Sequence, residues 1–302
     1  MRRALFVVNQ SATGHARHLH GYCEQAAARH GWQAEFLLAV PGQHSQLLDR
    51  QLSDYVASGE ERLVVAVGGD GTVRACAHHL AGTDVALAVV PRGAANLFAA
   101  ALGLPNALEA ALRTGFGSDE RKVDLAVAGD EVFVAMAGIG VDAAIVRAAS
   151  PWLKQHMGWL GYAVACVPQL ARPAYRMTLQ VDGGAELTCD AQGVVVGNVG
   201  LLPGHFVLMP GARLDDGLVD VGVVAPRNVL GWATLARRAM TARLSGRPAV
   251  EHFQAHHVEV TCETELERQV DGDSLVPGRA LNVGVVHKAL LVRAPRGRRR
   301  PE

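Results

Sequence analysis

The sequence predicts an α/β N-terminal domain with a doubly wound parallel sheet, followed by a C-terminal domain that is mainly antiparallel β. In roughly the first 120 residues, short apolar runs alternate with helix-length amphipathic segments, the pattern of repeated strand–helix–strand units. After about Val123, short alternating segments are joined by Asp/Gly turns, the pattern of antiparallel hairpins. The length of 302 residues gives each domain enough chain for its own core.

The composition is that of a globular protein without net charge. Hydrophobic residues make up 49% of the chain, and 29 basic residues balance 29 acidic ones, so we expect no nucleic-acid partner. The five scattered cysteines form no C-x-x-C pair and are expected to be reduced thiols in the cytoplasm. No segment approaches the ~18 uninterrupted apolar residues of a membrane span. The first apolar run is only five residues long, too short for a signal peptide, and is interpreted as a strand.

Four strands and three helices are predicted in the first half. The strands are "ALFVVN" (4–9), "AEFLLAV" (34–40), "RLVVAVGG" (62–69) and "VALAVVP" (85–91), and the helices span 15–30, 43–58 and 73–81. Ligands of such sheets bind at the carboxyl ends of the strands. Three glycine- or asparagine-bearing segments, "NQSATG", "GGDGT" and "PRGAAN", follow strands at that edge.

The second half is predicted to be a sheet of short strands with two helical insertions. "VDGG" and "AGDE" are hairpin signals, and the helices are expected at 151–171 and 228–245.

The segment "VGGDGTV" allows two interpretations, a tight turn or a phosphate-binding loop. Glycines let the backbone approach a ligand closely, and the N-terminus of the following helix attracts phosphate oxygens. Asp70 beside phosphate then indicates a nucleotide with Mg²⁺, while Thr72 either caps the helix or bonds a phosphate.

In order and spacing, these segments resemble the nucleotide-binding half of the diacylglycerol kinase-like lipid kinases. The similarity continues through "VDLAVAGDEVFVAMAGIGVDA", "GVVVGNVGLLPGHFVLMPGARLDDGLVDV" and "RQVDGDSL", so it covers roughly residues 5–275. The G-G-D-G-T element is shared with NAD kinases and, approximately, with phosphofructokinases. The combination with P-x-G-x-x-N-x-F-A and P-x-A-x-x-D-D-G-x-x-D is more specific.

The resemblance implies an ATP-dependent kinase that phosphorylates a lipid hydroxyl in a cleft between two domains. It places the nucleotide-binding domain at residues 1–122, with 284–302 packing back on it, and the lipid-substrate domain at 123–283. It also implies that ATP is bound by Asn9, Gly14, Gly68, Gly69, Asp70, Gly71, Thr72, Gly93 and Asn96.

In the second domain the resemblance implies a metal site and a catalytic carboxylate. Asp216, with the backbone carbonyls of Arg213 and Leu218, would bind Mg²⁺ or Ca²⁺, and a turn without metal is the alternative. "VDGD" matches the family's D-G-E element, with Asp273 as the base and Asp271 beside it. Two carboxylates at i and i+2 on a strand end would point to the same side, and the alternative is an ordinary Asp-Gly hairpin.

Four positions depart from the family pattern. The first loop reads Asn9-Gln10-Ser11-Ala12-Thr13-Gly14 where N-P-x-S-G is usual, Ala94 replaces a threonine, and Leu97 replaces an aspartate. Asp273 stands in place of Glu, which shortens its reach by about 1.5 Å. These differences predict either an adjusted substrate range or a low activity.

Two other functions remain open: an NAD kinase-like soluble kinase, and a non-catalytic nucleotide- or lipid-binding regulator. Leu97 and the D-D-G turn argue against the first, whereas Ala94 and Leu97 favour the second. A lipid substrate further implies a cytoplasmic protein associated peripherally with a membrane, and a homodimer is compatible with the sequence. The candidate membrane contacts are "PWLKQHMGWLGY", with Trp152 and Trp159, and the arginines of the C-terminal tail; a buried core helix is the alternative for the first.

Overall fold

The computed structural model describes residues 2–9, 16–39, 46–58, 62–149, 157, 159–204, 206–226, 228–245 and 250–295. The chain forms two compact units. Unit 1 comprises Met1–Val123 and Lys288–Glu302, and unit 2 comprises Asp124–His287.

Unit 1 contains a parallel sheet in the order β2-β1-β3-β4, which confirms the predicted doubly wound domain. Each strand is an apolar run whose residues are almost all buried, except in the edge strand β2. The last part of β16 runs parallel to β4, with Val292 opposite Leu87. The strands are β1 Arg3–Asn9, β2 Gln33–Ala39, β3 Arg62–Gly68 and β4 Ala86–Pro91, and the helices are α1 Ala16–Arg29, α2 Gln46–Ala57, α3 Asp70–Leu80, α4 Leu97–Ala101 and α5 Leu108–Gly117.

Unit 1 buries one face of the sheet under α1 and α5. Phe6, Val65 and Ala88, from neighbouring strands, lie in one core cluster with Trp32 and Phe116. This packing fixes the strands in register, so their carboxyl ends are also fixed relative to one another.

The helices of unit 1 differ from the prediction in two ways. Helix α3 begins at Asp70, three residues earlier than predicted, because the Thr72 and Val73 amides donate to the Gly69 carbonyl. Only Gly69, the N-cap residue, separates the strand from the helix. Helices α4 and α5 are not among the predicted elements, because glycine and proline interrupt that stretch of sequence.

Unit 2 is built on an antiparallel sheet, as predicted, in the order β14-β13-β10-β7-β15-β16. Its strands are β5 Glu120–Ala128, β6 Glu131–Phe133, β7 Met136–Gly140, β8 Tyr175–Val181, β9 Glu186–Ala191, β10 Gly193–Gly197, β13 Val219–Val224, β14 Glu251–Ala255, β15 His257–Val270 and β16 Asp273–Arg293, of which β5 begins and β16 ends in unit 1. A second, two-stranded sheet consists of β11 Leu201–Leu202 and β12 Phe206–Val207. The core of unit 2 contains Phe133, Ile139, Met177, Leu179 and Val258.

The Asp-Gly pairs form the hairpins that the sequence predicts. In "VDGG", Asp182 and Gly183 have φ values of 50° and 68° and form a turn that the Gly184 amide closes by donating to the Val181 carbonyl over 2.8 Å. Gly129 turns the chain between β5 and β6 with φ 63°.

The helices of unit 2 are α6 Val141–Ala148, α7 Trp159–Cys166, a 3-10 helix at Val167–Ala171, and α8 Val229–Ser245. Pro168 lies in the first turn of the 3-10 helix, where it ends the α-helical pattern. Of the predicted helix at 151–171, residues 151–156 and 158 lie outside the described residues. None of the helices in the described part of the chain combines the length and the apolar character of a membrane span.

Candidate functional site

The carboxyl ends of β1, β3 and β4 are connected directly by hydrogen bonds. The Asn9 side-chain amide, at the end of β1, donates to Thr72 Oγ1 in the first turn of α3, over 3.3 Å. The Arg92 amide, just after β4, donates to the Gly68 carbonyl at the end of β3, over 2.8 Å. The carboxyl ends of these three strands therefore lie together, as predicted from the sequence. Gly14 and residues 10–13 lie outside the described residues.

Three glycines at this edge are required by close packing. A Cβ added to Gly69 would lie 3.0 Å from the Gly93 Cα, and one added to Gly93 would overlap the backbone of Gly69. A Cβ on Gly68 would overlap the side chain of Thr72. The loops after β3 and β4 thus contact each other backbone to backbone, beside the N-terminus of α3.

Asp70 joins the starts of two helices. Its carboxylate accepts hydrogen bonds from the amides of Leu97 (3.0 Å) and Phe98 (3.1 Å), the first two residues of α4. Part of the residue is exposed, but its carboxyl group is enclosed by protein; this burial raises the pKa of Asp70, opposed by the backbone N–H bonds. That Asp70 also binds Mg²⁺–ATP stays a prediction.

Asn96 shapes the loop after β4. It adopts a left-handed conformation (φ 50°, ψ 46°), and its side chain accepts from the Gly93 amide (2.7 Å) and donates to the Gly93 carbonyl (2.8 Å). The next residue, Leu97, is buried, so an apolar side chain occupies the position where the resemblance implies a carboxylate. The environment of Leu97 is core, which explains why an apolar residue is tolerated there.

The "VDGD" segment is a hairpin with a two-residue turn, which was the alternative interpretation, and the expectation that Asp271 and Asp273 point to the same side of one strand end is wrong. Val270 and Asp273 are paired across the hairpin, and Asp271 and Gly272 form the turn with φ values of 48° and 82°. Only Asp273 belongs to a strand, where it is the exposed first residue of β16.

The Asp271 carboxylate is bonded to backbone. It accepts from the amides of Val134 (2.9 Å), Ala135 (2.8 Å) and Met136 (3.0 Å), which lead into β7. The Asp271 amide in turn donates to the Met136 carbonyl over 2.8 Å. Asp271 therefore holds the hairpin tip, whereas Asp273 is the exposed carboxylate beside it.

Two residues beneath this hairpin are absent from the sequence-based site. Gln269 Nε2 donates to Asp142 Oδ2 over 2.7 Å, and Gln269 Oε1 accepts from the Gly272 amide over 2.9 Å. Enclosure of the Asp142 carboxyl group raises its pKa to about 6, although its hydrogen bond with Gln269 lowers it. The acid in "GIGVDA", inside the stretch of family resemblance, was the signal that could have identified Asp142.

The predicted metal-binding turn contains one carboxylate near two others. Asp216 Oδ1 accepts from the Leu218 amide over 3.1 Å, and burial raises the Asp216 pKa, as do the charges of Asp220 and Asp124. Asp220 is fully buried, and among the described residues its Oδ2 has no hydrogen-bond partner. This concentration of negative charge fits a divalent cation held by Asp216 and carbonyl oxygens. Among the described residues, no group of three or more His, Cys, Asp or Glu side chains is placed to hold a metal ion.

The comparison with protein families covers nearly the whole chain. Residues 3–128 match the diacylglycerol kinase catalytic domain, and residues 135–293 match the YegS C-terminal NAD kinase beta sandwich-like domain. The chain belongs to the diacylglycerol kinase-like family. The resemblance inferred from the sequence motifs is thereby confirmed.

Relatives of this kinase family member are found among bacterial proteins. A "Probable lipid kinase YegS-like" of Pseudomonas putida is 31% identical over 230 residues, which cover 75% of each chain. One from Pseudomonas aeruginosa PAO1 is 30% identical over 255 residues, 82% of this chain and 81% of that one. An uncharacterized protein of Synechocystis is 28% identical over 78% of this chain, which spans only 55% of that relative's length.

Solved structures show the same fold. A putative diacylglycerol kinase from Bacillus anthracis has a TM-score of 0.80 at 22% identity. The match covers 97% of this chain and 95% of that one. An NAD kinase from Archaeoglobus fulgidus, solved in complex with ATP, has a TM-score of 0.51 at 14% identity, covering 97% and 93% of the two chains. These similarities confirm the prediction that the fold is shared with diacylglycerol kinases and NAD kinases.

Proposed function

We propose that this kinase family member is an ATP-dependent lipid kinase that transfers the γ-phosphoryl group to the hydroxyl of diacylglycerol or a related lipid. The observation that supports it most directly is the contact of Gly69 with Gly93 at the N-terminus of α3. A backbone edge of this kind, without Cβ atoms, suits the close approach of phosphate oxygens to N–H groups.

The nucleotide is assigned to unit 1. Gly68, Gly69 and Gly71 give the phosphates access to the backbone, and the helix dipole of α3 favours their negative charge. Asn9 and Thr72, hydrogen-bonded to each other, close one side of this edge, and Asn96 fixes the loop on the other.

Asp216 and the carbonyls of Arg213 and Leu218 would hold a Mg²⁺ ion. Asp70 would help to bind the Mg²⁺–ATP complex. Bound Mg²⁺ neutralises charge on the phosphates and on the surrounding carboxylates. Burial and the charges of Asp220 and Asp124 raise the pKa of Asp216, which means that they destabilise its charged form. A bound cation would offset this destabilisation, so the raised pKa supports the assignment.

The acceptor hydroxyl is assigned to Asp273. Its carboxylate accepts the hydroxyl proton while the lipid oxygen forms a bond to the γ-phosphorus and the bond to the bridging oxygen of ADP breaks. Asp271 contributes by fixing the turn that carries Asp273, through its three backbone N–H bonds.

We further infer that an exposed surface of unit 2 docks on an anionic membrane. Helices α7 and α8 both contact the 3-10 helix, and the three helices together expose five large apolar side chains. Residues 157–171 carry no charge, residues 228–245 carry no acid, and Arg237 and Arg238 are exposed on α8. This combination fits the headgroup region of a bilayer with anionic lipids.

The five side chains, here named the α7–α8 surface, are Leu160, Val164, Val167, Leu230 and Met240. Trp152 and the tail arginines lie outside the described residues, and nothing is described of the Trp159 side chain.

Radiolabelled ATP, offered with diacylglycerol, sphingoid bases, phosphatidylglycerol and NAD in turn, tests the proposal. We expect label in a lipid and none in NAD, with turnover lost in Asp273→Asn. Transfer to NAD would instead establish the soluble-kinase alternative. ATP binding without transfer to any acceptor would establish a binding protein, the outcome that the buried Leu97 favours.

A further inference from the structure

Gln269 links a buried acid to the tip of the hairpin that carries Asp273. It lies in β15, paired with Gly138 of β7 on one side and Ser274 of β16 on the other. Its side chain is buried, and both ends are bonded: Nε2 to Asp142 and Oε1 to the Gly272 amide.

The orientation of the Gln269 amide follows from its partners. The Gly272 amide is a donor and cannot accept, so Oε1 must face it and Nε2 must face Asp142. The Asp142 carboxylate, which accepts from Nε2, therefore stabilises one of the two possible orientations of the Gln269 amide. In this orientation Oε1 can accept from the Gly272 amide, next to Asp273.

The space for Asp142 depends on a glycine. A Cβ on Gly138, opposite Gln269 in the sheet, would overlap Asp142 Oδ2. On the other side, helix α6 packs against helix α7, and a Cβ on Gly272 would lie 3.3 Å from the Tyr162 Oη of α7. The network is thus enclosed between β7, β15, α6 and α7.

We propose that Gln269 and Asp142 are positioning residues for the reaction, acting through Gly272 on the carboxylate of Asp273. Asp271 fixes the hairpin tip from one side by its bonds to residues 134–136, and Gln269 fixes it from the other. A tip held at both turn residues leaves Asp273 little freedom to move relative to β7. This inference rests on the function proposed above, because it assigns a purpose to the placement of Asp273.

The decisive experiment reverses the polarity of the Gln269–Asp142 bond. Gln269→Glu puts two carboxylates against each other, and we expect kcat to fall about tenfold to a hundredfold, since a displacement of ~1 Å costs about that much. Adding Asp142→Asn restores the bond, because the new amide donates to the carboxylate introduced at position 269, whose other oxygen still accepts from the Gly272 amide. We expect the double variant to regain about tenfold in kcat, with KM for the lipid unchanged throughout.

Amide hydrogen exchange at Gly272 gives a readout that does not need activity. In Gln269→Leu we expect this exchange to become about tenfold faster, because the amide loses its acceptor. Gln180→Leu is the matched control: Gln180 Nε2 donates to the Gly184 carbonyl beside the β8–β9 hairpin, and its loss should leave kcat and the Gly272 exchange unchanged.

Three outcomes would overturn the inference. The first is unchanged exchange at Gly272 in Gln269→Leu, the second is a double variant no more active than Gln269→Glu, and the third is a higher KM with the same kcat. If Gln269→Leu does not fold, the polarity-reversal pair decides. If the wild-type protein phosphorylates no lipid, the proposed function fails, while the exchange measurement still decides whether Gln269 holds the hairpin.

Discussion

At the level of single residues, the polar side chains of the candidate site mostly bind backbone. Asp70 accepts from two amides of α4, Asn96 bonds both backbone groups of Gly93, and Asp271 accepts from three amides before β7. Substitutions at such residues change both the free energy of unfolding and the geometry of the site. Their effects on activity have to be separated from their effects on stability by matched controls.

Asp271 has such a control in Asp182. Both precede a glycine at the tip of a hairpin, and Asp182 Oδ1 accepts from the amides of His256 (2.9 Å) and His257 (2.7 Å). We expect Asp271→Ala and Asp182→Ala each to lower the free energy of unfolding by about 1–3 kcal/mol, since amides lose their acceptor. Only Asp271→Ala should also lower kcat, by about tenfold or more. Urea denaturation and steady-state kinetics measure the two effects; equal kcat values in both variants would contradict the assignment.

Asp142 makes stability depend on pH. Its pKa is raised in the folded protein from 3.8 to about 6, mainly by burial, so folding favours the protonated form. This contribution to stability is present below pH ~4 and is lost as the pH rises through ~6. Relative to Asp142→Asn, the wild-type free energy of unfolding should fall by on the order of 2 kcal/mol between pH 4 and 7. Denaturation of both proteins at several pH values measures this difference, and a constant difference would show that the group does not titrate there.

At the level of elements, the proposed nucleotide binding depends on the close contact between the loops after β3 and β4. In Gly93→Ala, the new Cβ overlaps the Gly69 backbone, and one loop must move. We expect ATP affinity to fall about tenfold or more, the free-energy equivalent of at least about 1.4 kcal/mol. Titration calorimetry with ATP measures it. Gly21→Ala in α1, where a Cβ has nothing within 4 Å, is the control and should leave ATP affinity unchanged. Equal affinities in wild type and Gly93→Ala would separate this contact from nucleotide binding.

The sequence predicts these elements well where local chemistry decides them. Buried apolar runs fix the four parallel strands, and Asp-Gly pairs fix the hairpins, because only a few residue types tolerate positive φ. Sequence spacing misplaces Asp271, since a strand and a two-residue turn differ in where alternate side chains point. The pairing of Gln269 with Asp142 joins residues 127 positions apart, and the burial of Leu97 depends on the folded core. Such long-range contacts leave no local pattern in one sequence.

At the level of the whole molecule, the two units carry different parts of the proposed reaction. Unit 1 contains the proposed phosphate-binding edge, and unit 2 contains Asp273, the proposed metal-binding turn and the α7–α8 surface. If a lipid kinase reaches its substrate at a bilayer, removing the α7–α8 surface should impair activity on vesicles without impairing nucleotide binding in unit 1. This separation distinguishes a docking surface from a part of the catalytic site.

The variant Leu230→Asp/Met240→Asp tests that separation, because both side chains are highly exposed (76% and 67%). Burying one such side chain contributes about 1.5–3 kcal/mol, so we expect partition onto vesicles with phosphatidylglycerol to fall at least about tenfold. Arg237→Ala/Arg238→Ala should weaken binding at low salt and have little effect at high salt, since each arginine near an anionic surface contributes about 1 kcal/mol. Leu187→Asp, an exposed position in β9, is the control and should bind vesicles like the wild type. Vesicle sedimentation measures the binding of all three variants, and their ATP affinity checks that they are folded. If Leu187→Asp loses as much vesicle binding as Leu230→Asp/Met240→Asp, the effect comes from added negative charge in general. That result would reject the α7–α8 surface as the membrane contact.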